Sequence, residues 1–149
     1  DYHDPFEILQ HLMIGSEETL GFISEITYRT IPDPAHKGTA LFLFPDIVSA
    51  CSVVNKLKRQ KIDAVELFDR SSLRAIEDQP TAPKQLKGLH EDACALLIET
   101  GDEHANLRDL KVSKIVKLLS TKKVLVEPVF TSATTEAAGL WKLRKGLFP

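Results

Sequence analysis

Short apolar runs along the chain alternate with segments in which apolar residues recur at helical spacing. Residues 39–44 (TALFLF) stand between a glycine and a proline, which is typical of a buried strand. Asp46 then offers an N-cap for a helix with one apolar face, and Val65–Phe68 predicts a second short strand. The residues expected to face inward from this helix are Ile47, Ala50, Cys51, Val54 and Leu57. This stretch predicts a strand–helix–strand unit.

A short helix and a long connection follow this unit. Asp69 or Ser71 can cap a helix near Ser72–Ile76, because a side-chain oxygen at that position accepts from the first free N–H groups. Residues 77–91 contain two prolines and a glycine, so we predict an irregular segment there.

The strand–helix–strand pattern then repeats. Ala93–Thr100 (ACALLIET) predicts a strand, and a helix follows over about Asn106–Leu119. Val124–Thr131 predicts a fourth strand, in which Pro128 favours an edge position or a bulge. A last helix, Glu136–Leu147, ends the pattern. The residues expected to face inward from the earlier helix are Val112, Ile115, Val116 and Leu119.

Two such units in series can share one hydrophobic core. Right-handed crossovers place both helices on the same face of a four-stranded sheet. We therefore predict an α+β fold: a ferredoxin-like plait of two βαβ units, with an antiparallel sheet and helices on one face. An open parallel sheet is the competing arrangement.

A different pattern precedes these units. Phe22–Ile31 is rich in Ile, Thr, Tyr and Phe and predicts a strand, which Pro32 ends. Residues 31–34 (IPDP) form a stiff linker. We therefore predict a domain boundary at this point, with residues 1–31 in one domain and 32–149 in another.

Composition narrows the class of protein. The 149 residues are 43% hydrophobic and 27% charged, as in globular proteins, and 19 basic against 21 acidic residues give a net charge of −2. Because this balance offers no basic stripe, no nucleic-acid partner is expected. No apolar run approaches the roughly 20 residues of a transmembrane helix. We expect a cytoplasmic protein, with peripheral attachment at the inner face of the membrane as the alternative, and a chain excised from a longer one.

The segment that most clearly suggests a ligand-binding site is Ile14–Ile23 (IGSEETLGFI). Gly15 and Gly21 bracket small and polar residues, and glycine permits a positive φ or a close backbone approach. Successive N–H groups in such a turn can cradle a phosphate, and Ser16 and Thr19 add hydroxyl donors. By spacing alone, a plain turn in which one of these hydroxyls acts as a cap is the simpler interpretation.

Residues 11–32 (HLMIGSEETLGFISEITYRTIP) resemble the end of the flavin-binding domain in FAD-linked 2-hydroxyacid dehydrogenases of the vanillyl-alcohol-oxidase type. D-lactate and D-2-hydroxyglutarate dehydrogenases are members of that family. Three later pieces agree with the family in order and spacing: TALFLFPDIVSAC, AVELFDRSSL and LWKLRKGLFP. The resemblance covers essentially the whole chain, and the glycine-containing run is its most specific part.

The resemblance implies a role for each part of the chain. Residues 1–31 would be the C-terminal piece of an FAD-binding domain, and residues 32–149 would be a truncated cap domain that contacts the substrate. Arg144 matches the arginine of the family's Trp-x-x-Arg helix, which faces the flavin and binds the substrate carboxylate through a planar fork of donors. The positions that would line the FAD are Gly15, Ser16, Glu17, Thr19, Leu20, Gly21 and Ile23.

One position departs from the family pattern. Glu18 stands where the family usually has its second glycine. If the backbone there requires a positive φ, a glutamate costs on the order of 1 kcal/mol. Its carboxylate also brings negative charge close to an anionic cofactor.

The resemblance implies a flavoprotein that oxidises a D-2-hydroxy acid, such as D-lactate, by hydride transfer to FAD and passes the electrons to a separate acceptor. No catalytic residue is assigned, and we expect the chain alone to be inactive because the family's other loops lie outside it. The five histidines show no ligand-like spacing, so no metal site is expected. Cys51 and Cys94 are expected to be buried thiols. The alternative function is a free-standing, ferredoxin-like regulatory module that binds a small molecule.

Overall fold

The computed structural model describes residues 2–60, 62–80, 82–120 and 123–145 of the chain. They belong to two units, Asp1–Pro32 and Asp33–Pro149. The first unit contains helix α1 (Pro5–Met13), a tight turn and a segment without regular secondary structure.

Helix α1 was not predicted, although the sequence carries a start signal for it. The Asp4 carboxylate accepts a hydrogen bond of 2.7 Å from the Phe6 N–H, and Pro5 occupies the first helical position. Proline suits that position because its missing N–H would have had no partner inside the helix. An aspartate followed by proline is thus the pattern that indicates this helix.

The predicted strand at Phe22–Ile31 is wrong. These residues form no strand, and Phe22 stays 93% exposed. A strand needs a neighbour to satisfy its N–H and C=O groups, and residues 2–32 contain one helix and no second strand. The strand-forming composition of this segment has no sheet to join within the unit.

The second unit contains three strands, four α-helices and a short 3₁₀-helix in its described part. In chain order they are β1 (His36–Phe44), α2 (Ile47–Leu57), β2 (Ala64–Phe68), α3 (Arg70–Ile76), the 3₁₀-helix Lys84–Leu86, β3 (Cys94–Asp102), α4 (Ala105–Leu119) and α5 (Thr134–Lys145). The predicted caps of α2 and α3 are confirmed: Asp46 accepts from the Ser49 N–H at 2.6 Å, and Asp69 accepts from the Ser72 N–H at 2.7 Å.

The sheet has the order β1-β3-β2, and both pairings are antiparallel. The α+β class is therefore confirmed, and the competing open parallel sheet is wrong. Strands β1 and β2 run parallel on either side of β3, so α2 is the crossover between them. Leu96 on β3 stands opposite Phe42 on one side and Leu67 on the other.

The predicted fourth strand, Val124–Thr131, forms only isolated contacts with β1. Thr131 makes a single antiparallel bridge to Thr39, and the Leu125 N–H donates to the Leu43 carbonyl at 2.8 Å. Pro128 lies between these two contacts and has no N–H to offer a ladder. The complete four-stranded plait is thus not confirmed.

The helices of the two predicted strand–helix–strand units, α2 and α4, share one face of the sheet as expected, but two further helices, α3 and α5, cover the other face. Helices α2 and α4 pack on the face that carries Phe42, Leu96 and Ile98. Helices α3 and α5 pack on the opposite face, against Leu43 and Leu97. The first five residues of β3 (CALLI) are an unbroken apolar run rather than an alternating one, and such a run is typical of a strand buried on both sides.

The inward faces of the helices were predicted in part. In α2, Ala50 and Leu57 are buried as expected, whereas Ile47 and Cys51 are exposed. In α4, Ile115 and Leu119 are buried, and Val116 is exposed. The inward stripe of α4 is therefore narrower than the sequence pattern indicated.

Candidate functional site

The predicted cofactor-binding residues form the turn after α1. Gly15 has a φ of 77°, and Glu17 and Glu18 have φ values of 46° and 65°. The Thr19 N–H and hydroxyl both donate to the Ser16 carbonyl, at 2.9 and 2.5 Å. The turn is therefore a left-handed one that Thr19 closes on Ser16.

The conditional expectation about Glu18 is met, because its backbone does adopt a positive φ. An L-residue in this region carries a cost on the order of 1 kcal/mol that glycine would avoid. Gly21 differs, because a Cβ there would lie 3.3 Å from the terminal methyl of Met13, a close contact that a small shift of this flexible side chain can relieve. Gly15 faces open space, so only its φ requires glycine.

The backbone of this turn favours binding of an anionic ligand, whereas two of its side chains oppose it. Leu20 and Ile23 are exposed, Ser16 is half-buried, and the backbone around Gly15 is accessible. Accessible N–H groups of a left-handed turn can donate to phosphate oxygens. The exposed carboxylates of Glu17 and Glu18 oppose an anion, so the segment fits the edge of a nucleotide better than a phosphate cradle.

Arg144, the predicted substrate-binding residue, lies near the end of α5 in the second unit. Its Nε lies 3.0 Å from Oε1 of Glu66 on β2, and the two side chains are 49% and 37% exposed. Leu143, its neighbour, is buried in the core and fixes this end of α5 on the sheet. The guanidinium of Arg144 is therefore held at Nε by Glu66, and about half of the side chain remains accessible.

A second glutamate lies under the same helix. Oε2 of Glu99 on β3 accepts hydrogen bonds from Trp141 Nε1 at 2.6 Å and from Thr39 Oγ1 at 2.8 Å. Its side chain is only 14% exposed, and Lys37 Nζ lies 3.9 Å from its other oxygen. A carboxylate this deeply placed needs such donors to compensate for lost water. Sequence reasoning missed Glu99, since a single glutamate inside an apolar strand was the only signal.

Trp141 is therefore both an apolar contact and a polar anchor. Its ring packs against the core of the α3/α5 face, and its N–H donates to Glu99. Trp141 and Arg144 are three residues apart and thus share one side of α5. Each is paired with a glutamate on the sheet, Arg144 with Glu66 and Trp141 with Glu99.

A cleft of about 400 Å³ opens near the starts of β1 and α5. Its two cations already have partners. Lys37 lies 2.5 Å from Asp33, and this hydrogen bond raises the pKa of the lysine. Arg108 donates to the Lys37 carbonyl at 3.0 Å, and its Nε lies 2.8 Å from Asp109 without the alignment of a hydrogen bond. The cleft therefore presents a balanced set of charges.

The cysteines and the metal-ligating residues add little to the site. Cys94 is buried as expected, and burial raises the pKa of its thiol to about 11. Cys51 is exposed, so the expectation of two buried thiols is wrong for it. In the parts of the chain that the structure describes, no three His, Cys, Asp or Glu side chains converge as metal ligands.

None of the described helices is long and apolar enough to cross a membrane.

Comparison with known families decides the affiliation of the chain. Residues 33–149 match the family model described as FAD linked oxidases, C-terminal domain. The chain belongs to this FAD-linked oxidase family. FAD is accordingly the cofactor that goes with the chain, as the resemblance implied.

Individual relatives of this FAD-linked oxidase chain are distant in sequence. It is 24% identical over 142 residues to a protein named D-2-hydroxyglutarate dehydrogenase, mitochondrial, from Arabidopsis thaliana, covering 93% of this chain and 25% of the relative. It is 32% identical over 139 residues to D-lactate dehydrogenase [cytochrome], mitochondrial, from the same plant, covering 92% and 23%. The chain thus spans about a quarter of the length of the curated relatives it matches.

A solved structure shows the same fold at lower identity. The structure of an alkyldihydroxyacetonephosphate synthase matches with a TM-score of 0.59 and 18% identity, covering 92% of this chain and 27% of that one. At this identity the match concerns the fold alone. The α+β fold of this chain is therefore also found in that synthase.

Proposed function

We propose that this chain is part of a flavoprotein dehydrogenase that oxidises a D-2-hydroxy acid, such as D-lactate, to the 2-keto acid. The observation that carries the proposal is Arg144, which is half exposed on a helix anchored to the sheet within a domain of the FAD-linked oxidase family. Relatives named as D-lactate and D-2-hydroxyglutarate dehydrogenases support it. This evidence favours a dehydrogenase over a free-standing regulatory module.

In this proposal Arg144 binds the substrate carboxylate. A guanidinium donates two parallel hydrogen bonds to a carboxylate and so fixes both the position and the rotation of the acid. Bound FAD supplies the hydride acceptor. The chain's own contribution is to hold the acid in one orientation, because a near-attack geometry accounts for a large part of the rate enhancement in such reactions.

The turn at residues 15–21 is proposed to contact the cofactor from the first unit. Its exposed backbone and the apolar Leu20 and Ile23 suit the edge of a dinucleotide. The assignment of residues 1–31 to the flavin-binding domain stays a prediction, as do the separate electron acceptor and the cytoplasmic location.

The test uses the full-length, FAD-loaded protein with an artificial electron acceptor. Arg144→Ala should lower kcat/KM for D-lactate and D-2-hydroxyglutarate roughly 10- to 100-fold, since a hydrogen bond to a charged group contributes about 1.5–3 kcal/mol. Lys142→Ala, which removes an exposed charge from the same helix, is the matched control and should act like the wild type. Unchanged kinetics in the Arg144 variant would remove the substrate assignment.

The same preparations test the turn separately. Gly15→Ala forces a side chain into a positive φ and should weaken FAD binding about fivefold, measured as flavin released on dilution, because the strain is about 1 kcal/mol. Arg144→Ala should retain its flavin. Full FAD retention by the Gly15 variant would show that the turn does not contact the cofactor.

A further inference from the structure

The Arg144 guanidinium has one edge engaged by protein and one edge available. Glu66 contacts it at Nε, 3.0 Å away. No other hydrogen bond or ion pair of Arg144 is recorded within residues 2–60, 62–80, 82–120 and 123–145. A guanidinium carries five N–H donors in a rigid fork, so an acceptor at Nε leaves the two terminal amino groups able to bind a second carboxylate end-on.

The backbone on both sides of this pair is fixed. Glu66 lies within β2 and stands opposite Leu97 of the central strand. Arg144 follows the buried Leu143, and the Trp141 hydrogen bond to Glu99 secures the preceding turn of α5. Neither end of the ion pair can move far, so Glu66 restricts where the guanidinium plane points.

We propose that Glu66 is a positioning residue for Arg144, holding it by Nε so that its two terminal amino groups face the substrate carboxylate. This inference rests on the proposed function of Arg144. Free arginine side chains carry about 2 kcal/mol of rotamer entropy, and an arginine already oriented loses less of it when the acid binds. Glu66 thus favours binding through orientation while its charge opposes the incoming carboxylate.

Two substitutions separate orientation from charge. Glu66→Gln keeps an oxygen that accepts from Nε and removes the negative charge, whereas Glu66→Ala removes both. In the full-length, FAD-loaded protein, Glu66→Ala should raise KM for D-lactate and D-2-hydroxyglutarate about 5- to 10-fold with kcat changed less than twofold. Glu66→Gln should keep KM at or below the wild-type value. Equal increases in KM for both variants would overturn the proposal.

A second ion pair serves as a control for a merely structural effect. Glu77 pairs with Arg70 at 2.8 Å across the two ends of α3, on the same side of the sheet, and this pair is more buried than the one between Glu66 and Arg144. Glu77→Ala should leave KM unchanged even where it lowers the melting temperature. If Glu66→Ala fails to fold, Glu66→Met, which keeps the length of the side chain without an acceptor, replaces it and should show the same rise in KM.

A double mutant distinguishes failure of this inference from failure of the proposed function. In an Arg144→Ala background, Glu66→Ala should have no further effect on KM, because Glu66 acts through Arg144. A further rise in KM there would overturn the positioning role. Wild-type kinetics in Arg144→Ala would refute the proposed function instead, whereas a large effect of Arg144→Ala with none from Glu66→Ala would refute this inference alone.

Discussion

The two faces of the sheet differ in what they bury. The face under α2 and α4 is mostly apolar, with Phe42, Leu96 and Ile98 at its centre. The face under α3 and α5 has an apolar centre around Leu97, but it also carries the glutamates Glu66 and Glu99. Both faces belong to the same three strands, so neighbouring residues of one strand lie on different faces and have different roles.

This difference separates stability from chemistry. Burial of apolar surface stabilises the domain in proportion to area and needs no precise partner. A carboxylate under a helix is tolerated only where donors meet it, and Trp141, Thr39 and Arg144 are those donors. The α2/α4 face therefore contributes to stability through apolar burial, whereas the α3/α5 face also fixes the helix that carries the candidate site.

The most severe test of this comparison is Phe42→Ala on the apolar face. Phe42 is fully buried and meets Phe130 edge-on at 5.8 Å between ring centroids. Removing a buried phenyl ring leaves a cavity, so we expect a loss of about 3–5 kcal/mol in the free energy of unfolding, measured by urea denaturation. Leu67→Ala, at an exposed position of β2, should cost well under half as much. A similar loss at both positions would contradict the assigned core.

An intermediate effect is expected from Trp141→Phe on the polar face. The variant keeps an aromatic ring but removes the N–H donated to Glu99, and we expect a loss of about 2 kcal/mol in the free energy of unfolding. Thr39→Val removes the other donor to the same oxygen with little change in shape. Because both donors serve one carboxylate, the double variant should differ from the sum of the single ones. Simple additivity would show that Glu99 does not link them.

The smallest effect on stability is expected from the aspartate N-caps, one of which belongs to a helix on each face of the sheet. Asp46 caps α2 and Asp69 caps α3, and backbone hydrogen bonds from Ser49 and Ser72 lower the pKa of each carboxyl below its usual 3.8. Since the folded pKa is the lower one, the stabilisation is complete above about pH 4 and is lost as the pH falls through the folded pKa.

Asp69→Asn keeps the cap but cannot titrate, so the acid limb of the stability curve should flatten while stability at pH 7 hardly changes. Asp69→Ala should cost about 1 kcal/mol at pH 7, measured by the same urea denaturation. A wild-type acid limb in the Asn variant would show that the Asp69 carboxylate does not contribute to it.

Local signals in the sequence proved the most reliable. Asp46 indicated the start of α2, and Asp69, one of two candidates beside Ser71, indicated that of α3, because a cap depends only on residues within one turn. The Glu18 argument also succeeded, since the family's glycine marked a position where the backbone turns left-handed. These features need no distant partner.

Strand formation was predicted well only where a partner strand exists. The apolar run of β3 pairs on both sides, whereas Phe22–Ile31, with a similar strand propensity, has no neighbour in its unit and stays exposed. Val124–Thr131 falls between these cases, because Pro128 interrupts its pairing with β1. Strand propensity is thus similar in these segments, and pairing depends on what the rest of the fold supplies.

The sequence by itself determined the α+β class, most of the helices, the two aspartate caps and the resemblance that pointed to an FAD-linked oxidase. Only the tertiary structure decided that helices cover both faces of the sheet and that Glu66 and Glu99 meet Arg144 and Trp141. The physical reason is distance along the chain. Caps and periodicity act within a few residues, whereas Glu66 and Arg144 meet only after β2 and α5 have packed on the same core.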